Sequence, residues 1–489
     1  MNQSILRKIG TVFGVTIVLA SSILQSILFG SGNIVAYLIP FTIPLLLLVL
    51  YFSFFNLKNL YYLIVLTIPF SIEVVLPGNY GMSLPSEPLM FGMMLLFITQ
   101  LLFSNIDKSY FNHPVTFFLL LFVFWLIITT FQSTHVWVSI KFIIMKCWFI
   151  LVFYLFTVYL LNASEDINKI LILYIAGMGL VIIYTLLNHA RYGFDFAHSS
   201  SVMSPFFRNH VNYGATIAAI YPYLLMGAFH KPFPKYWRRI IQLLLIICTV
   251  GLLFTYTRAS YGAIFLLPFV YITYRAKIVS LSLSIALIAI VLFVNFFFSN
   301  YYYMNYALEG RYTEFHADDY VKQLQATAKM RDVSTMERFY RWIAAYNMIR
   351  KEPIWGFGPG TFIFEYRNYT VEAFRTSVSD NPENSGLHSQ YLTYWVETGW
   401  IGMLLHLGFT VYILIFASKV YHTCKDTTLK KQAIAATLSL ITIVIHNVVN
   451  DLLEVDKLAS LYFIAIAIIV HVDIRNKKQV NTEHLLTSS

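Results

Sequence analysis

Val279-Ser-Leu-Ser-Leu-Ser-Ile-Ala-Leu-Ile-Ala-Ile-Val-Leu-Phe-Val-Asn-Phe-Phe-Phe-Ser299 carries no charged side chain from end to end. A helix rises about 1.5 Å per residue, so a run of this length crosses the roughly 30 Å apolar core of a bilayer. Upstream, runs of the same kind lie near 9–29, 34–55, 60–76, 87–103, 114–131, 142–162, 168–188, 211–229, 239–255 and 260–275. Downstream, beyond a hydrophilic gap, come 390–417, 432–450 and 457–472, giving about fourteen expected spans. The whole chain agrees: 58% of its residues are hydrophobic, 12% are charged and the mean hydropathy is +0.66. A soluble domain of this length needs more surface charge. No alternating strand pattern recurs, which argues against a barrel. The expected fold is all-α, a polytopic transmembrane helix bundle.

The net charge of +10 is unevenly placed. With a cytoplasmic N-terminus, the inside loops hold Lys58, Lys108, Lys169, Lys231, Lys235, Arg238, Arg239, Arg275, Lys277, Lys419, Lys425, Lys430 and Lys431, and the tail adds Arg475, Lys477 and Lys478. The short outside loops hold only Lys141, Arg191, Arg208, Arg258 and Lys457. This is the positive-inside bias, and it accounts for the basic balance without nucleic acid as a partner. Both termini are then cytoplasmic and 300–389 lies outside. The first run follows Arg7 and Lys8 and ends without a cleavage site, so it reads as a retained span. Cys147, Cys248 and Cys424 form no metal or disulfide spacing.

The segment 300–389 differs in composition from its flanks. Tyr301, Tyr302 and Tyr303 open it, at headgroup level, and Glu314, Asp318, Asp319, Lys322, Lys329 and Arg331 follow. Ser334-Thr-Met-Glu337 has the form of a capping box that opens a helix, and Pro353 should end that helix. Trp355-Gly-Phe-Gly-Pro-Gly360 reads as a sharp turn and not as a phosphate loop, because the Lys-Ser/Thr ending is missing. A second polar stretch, Ser379 to Gly386, leads to His388 and the next span. The expected divisions are helices over 1–204, helices with Arg motifs at the outer face over 205–299, the large loop over 300–389, helices over 390–472 and a cytoplasmic tail over 473–489.

Arginines gather at the outer ends of the spans. Arg208 precedes one, Arg258 sits in the tight connection Thr255-Tyr-Thr-Arg-Ala-Ser260, and Arg338 and Arg341 share the loop helix with Trp342. Arginine at membrane depth faces a cavity or a partner, and its planar fork suits a phosphate oxygen pair. The plainer alternative for each is an interfacial side chain snorkelling to lipid phosphates. His388, where loop meets span, is placed to act as a general base toward a hydroxyl, and neighbouring guanidinium charges would keep it neutral. Its plainer alternative is a residue that caps or orients the loop. Glu397, nine residues on in the same helix, needs a partner inside the span. His446, Asn447, Asn450, Asp451, Glu454 and Asp456 read as a solvated polar loop whose spacing matches no metal-ligand pattern.

Over roughly 205–410 these residues resemble the O-antigen ligase and O-antigen polymerase family of bacterial membrane glycosyltransferases. Thr257-Arg258-Ala-Ser260 is similar to its Ser-Arg-Gly motif, with Ala259 where Gly is usual. Glu337-Arg338-Phe-Tyr-Arg-Trp342 with Lys351 to Gly360 is similar to its Arg-x-x-x-Trp element and the Gly-x-Gly turn after it. His388-Ser-Gln-Tyr-Leu392 with Glu397-Thr-Gly resembles its His-Asn/Ser-x-x-Leu and Glu-x-Gly elements. The resemblance implies a GT-C-like bundle of about a dozen spans in the bacterial inner membrane with a periplasmic site. It also implies a glycan donor on a polyprenyl diphosphate, an acceptor hydroxyl on a lipid A core sugar or on a second lipid-linked repeat, and metal-independent inverting transfer with no cofactor. In that frame His388, Arg258 and Arg338 are catalytic, and Arg208, Arg341, Trp342 and Glu397 bind substrate. Alternatives from the same sequence are a protein O-glycan ligase and a transporter or flippase of lipid-linked oligosaccharide. Against the latter, no inverted repeat with broken helices at mid-membrane is found.

Overall fold

The computed structural model describes residues 51–53, 56–76, 80–103, 111–229, 235–299, 333–371 and 385–487. The expected spans at 9–29 and most of 34–55, the tyrosine run at 301–303, the acidic and basic stretch to Arg331 and most of the second polar stretch lie outside them. Residues 1–65 and 66–489 form two compact units. In the first, the described part is mainly the start of helix α1 (Leu57–Thr67). Everything below concerns the second.

That unit is an all-α helix bundle with a single two-stranded hairpin among the described residues. Its helices are α2 (Ser86–Phe103), α3 (Pro114–Thr130), α4 (Val136–Leu160), α5 (Ser164–Ala190), α6 (His210–Phe229), α7 (Lys235–Leu253), α8 (Arg258–Arg275), α9 (Val279–Ser299), α10 (Val333–Lys351), the short α11 (Phe362–Glu365), α12 (Gln390–Thr423), α13 (Thr427–Val449) and α14 (Asp456–Thr487). Among the described residues, seven helices are long and apolar enough to cross a membrane: α2, α4, α5, α7, α12, α13 and the Asp456–Gln479 part of α14. The protein is a membrane protein. On α9 the side chains of Leu281, Ile285, Ile288, Val291, Leu292 and Phe296 are all exposed. An apolar face turned outward is stable only in lipid.

The core is built on α6 and α13. α6 packs on α7, α8 and α13, while α13 also meets α12 and α14. Small side chains allow the close approach: Gly214, Ala215, Ala218 and Ala219 on α6, and Ala433, Ala435 and Ala436 on α13, are all buried. Local sequence sets the helix starts. The Asp426 carboxylate accepts the N–H of Thr428 at 2.7 Å and of Leu429 at 3.0 Å, and Asp166 accepts those of Asn162 and Ala163. In α4 the stretch Phe149–Phe156 is π-helical, and it packs against α2 and α14.

Three expectations are corrected. The apolar run 60–76 is not one span. α1 ends at Thr67, Ile68–Phe70 makes a 3-10 turn around Pro69, and Ile72–Leu76 pairs antiparallel with Tyr80–Leu84, Val74 opposite Met82. Proline removes a helical donor there, and the β-branched residues beyond it favour a strand. α10 is already under way at Val333, so Ser334 is inside the helix and not its cap. The cluster from His446 to Asp456 is not solvated either: His446, Asn447, Asn450 and Asp456 are buried.

α12 is interrupted. Gly399 has φ 70° and ψ −179°, outside helical geometry. The carbonyls freed by the break find other donors. Phe357 N–H donates to Val396 O at 3.0 Å, Gly358 N–H to Glu397 O at 2.8 Å and Trp125 Nε1 to Thr398 O at 2.9 Å. In return Trp400 N–H donates to Pro353 O at 3.1 Å. The Gly356–Gly360 turn, whose three glycines have φ of 69°, 106° and 78°, is therefore the complement of the break.

Candidate active site

The loop helix α10 packs against α12, while α8 packs against α6 and α13. Thr257 Oγ1 donates to His210 O at 3.1 Å, which joins the first turn of α8 to that of α6. Ser260, in the same turn of α8, lies 3.0 Å from His446 Nε2 of α13. His446 Nδ1 is 2.7 Å from Thr442 O, so Nδ1 carries the proton and Nε2 accepts from the serine hydroxyl. Arg258 is thus carried on a helix end fixed to two neighbours.

His388 sits two residues before α12 with φ 60°, in the left-handed region that costs a non-glycine residue on the order of 1 kcal/mol. The surroundings hold it there. The Asp451 carboxylate lies where a Cβ on Gly386 would stand, and it accepts the Leu387 N–H. Gln390 N–H donates to Asn450 O at 3.1 Å, and Leu453 N–H donates to Gln390 Oε1 at 3.2 Å. The turn 450–454 therefore grips the chain on both sides of His388. Burial, then the charges of Arg338 and Arg341, push the His388 pKa down to about 3, so the imidazole is neutral. Asp451 is pushed up to about 7, by burial first and then by the Glu454 charge.

The charge of Arg338 also reaches His210, and so does that of Arg258. The charge of Arg338 thus acts on both His388 and His210, and that of Arg258 on His210. The remaining predicted residues have other engagements. Arg341 is 1% exposed: Nη1 donates to Ser385 O and Gly386 O at 2.6 Å each, Nη2 pairs with Glu337, and the guanidinium lies over the Tyr366 ring. It holds the strand of chain that carries His388. Glu397 accepts the N–H of Gly360 at 2.8 Å and of Phe362 at 3.2 Å, locking the turn against α12. Trp342 packs on the apolar cluster of Met348, Phe357, Phe362, Leu387 and Val396, beneath the same loop. All three thus have structural engagements in the loop. Arg208 is exposed on the connection before α6.

The sequence reading passed over His210, although it stands two residues after Arg208 in a string already singled out. Asp451 was read as part of a solvated loop, because its partner Gly386 is remote in sequence, and Lys146, buried in α4, was passed over. A lysine inside an apolar run was the available signal for the last.

The O-antigen ligase family matches over residues 243–407. That stretch contains Arg258, Arg338, Arg341, Trp342, the glycine turn, His388 and Glu397; Arg208, His210 and Asp451 lie outside it. No curated protein matches the chain.

Proposed function

Taking as premise that residues 243–407 are an O-antigen ligase domain, we propose that the protein moves a glycan from a polyprenyl diphosphate carrier to an acceptor hydroxyl at the outer face of the bacterial inner membrane. The acceptor is a lipid A core sugar in a ligase or a second lipid-linked repeat in a polymerase. The reading is carried by one observation: Arg338 lies close enough to act on both His388 and His210, and Arg258 acts on His210.

The acceptor oxygen attacks C1 of the donor sugar, and its proton passes to the His388 imidazole. The C1–O bond breaks on the opposite face, and its electron pair leaves with the polyprenyl diphosphate. Configuration at C1 is inverted. Arg258 and Arg338 meet the charge that develops on the departing phosphate, in a site where few competing waters weaken the attraction. The charge compensation that a metal ion supplies in other phosphate chemistry is assigned here to guanidinium groups. Arg208 is placed to add to it from the rim.

A base with a pKa near 3 is weak; burial depresses it most, and the charges of Arg338 and Arg341 add to that. The diphosphate offsets the guanidinium charge next to His388, so its basicity rises when the donor is bound. Proton abstraction is thereby tied to an occupied site, and a good general base accelerates transfer by about 10²–10⁴-fold.

The test is complementation of a deletion strain with wild-type protein or His388→Ala, followed by electrophoresis of the surface glycan. His388→Ala should be present in the membrane and inactive; normal glycan would remove the imidazole from the mechanism. Single-repeat products in the deletion strain identify a polymerase, and long unattached carrier-linked chains identify a ligase.

A further inference from the structure

We infer that Lys146 is a positioning residue for His388, acting through the turn between α13 and α14. Lys146 stands on α4, 3% exposed, inside a helix of membrane-spanning length. A charge placed there is costly, and a well-packed apolar side chain in its stead is commonly neutral or stabilising, so packing alone gives no reason for a lysine. Its ammonium lies over the rings of Phe142 at 4.8 Å and Tyr394 at 6.0 Å, and Glu454 and Glu397 are the carboxylates whose charges reach it. Nζ donates to one backbone oxygen, Leu453 O, at 2.9 Å.

That oxygen belongs to the turn that grips the His388 segment. Leu453 uses its N–H on Gln390 Oε1, and Gln390 uses its own N–H on Asn450 O. One ammonium therefore anchors Leu453 through its carbonyl, and the N–H of the same residue bonds the first turn of α12, two residues from a histidine held at φ 60°. Without the anchor, the turn can shift without unfolding, and His388 shifts with it. A displacement of about 1 Å at a reacting group costs on the order of 10²-fold in rate.

The inference rests on the assignment of His388 as the base, and the experiment separates the two. Lys146→Met, nearly isosteric and uncharged, should reach the membrane in normal amount, hold KM for the lipid-linked donor within about twofold and lose roughly 10- to 100-fold in kcat. Lys146→Arg keeps charge and donor, and a cavity of about 30 Å³ lined by Lys146, Tyr394, His406 and Tyr462 adjoins it. It should recover most of the lost rate. Gln390→Leu breaks the same relay one step on, so the double variant should be no slower than the slower single variant. Wild-type kcat in Lys146→Met, additive losses in the double variant, or absence of Lys146→Met from the membrane would each overturn the positioning role. If His388→Ala keeps transferring glycan, the base assignment fails instead, whatever Lys146→Met does.

Discussion

At the scale of single residues, the site separates groups that face a reaction from groups that hold them. Arg341, three residues after Arg338 on α10, is consumed by Ser385 O, Gly386 O and Glu337. A lysine ammonium cannot reproduce that fork. Arg341→Lys should therefore reduce thermal stability in detergent along with kcat, by about 1–3 kcal/mol for the hydrogen bonds lost. Arg338→Lys should reduce kcat, because a point charge cannot replace the bidentate fork. An unchanged melting temperature for Arg341→Lys would contradict its holding role. His388 gives a second prediction. Its folded pKa, about 3, lies below the ordinary imidazole value of 6.5. The unfolded chain binds the proton more readily between those values, so this group makes stability fall as pH is lowered through that window. By NMR of histidine-labelled protein, the resonance that disappears in His388→Ala should report a neutral ring at pH 5. A ring charged at that pH would place His388 in water, away from the arginines.

At the scale of elements, the break in α12 and the Gly356–Gly360 turn form one unit. A Cβ on Gly399 would stand 1.8 Å from Ile354 O, at a φ that side chains rarely adopt. Gly399→Ala should cost at least about 2 kcal/mol and release the turn, which then leaves Val396 O and Glu397 O without donors. The check is a lowered unfolding midpoint together with new protease sensitivity between 353 and 362; an unchanged midpoint would mean that the break does not depend on glycine. Much of this unit was legible beforehand. The Pro353 stop, the glycine turn and the buried glutamate were all visible as parts. Their mutual fit was not, because the hydrogen bonds join residues about forty positions apart. The hairpin Ile72–Leu84 was misread for a related reason: Ile-Glu-Val-Val-Leu is apolar enough to extend a helix, and its partner Tyr-Gly-Met-Ser-Leu carries little strand signal.

At the scale of the whole molecule, function depends on which side of the membrane the site occupies. In the orientation expected from the bias of lysine and arginine, the α8–α9 connection is cytoplasmic and the loop that contains α10 and α11 is outside. Arg367 and Lys277 are both exposed. In intact cells, a membrane-impermeant maleimide should label Arg367→Cys and should reach Lys277→Cys only after permeabilisation. The reverse pattern would put the arginines on the side with nucleotides and without a lipid-linked acceptor.

Hydrophobic run lengths determined a helical membrane protein, and the order of a few motifs pointed to the O-antigen ligase family that matches residues 243–407, because both properties are local: solvent transfer acts on a segment, and a motif is read along the chain. Only the tertiary structure decided that Arg341, Trp342 and Glu397 pack on or bond the loop, that Asp451 meets the segment leading to His388, and that Lys146 bonds Leu453 O. Each of those roles is a contact between elements far apart in sequence, and no property of either partner alone encodes it.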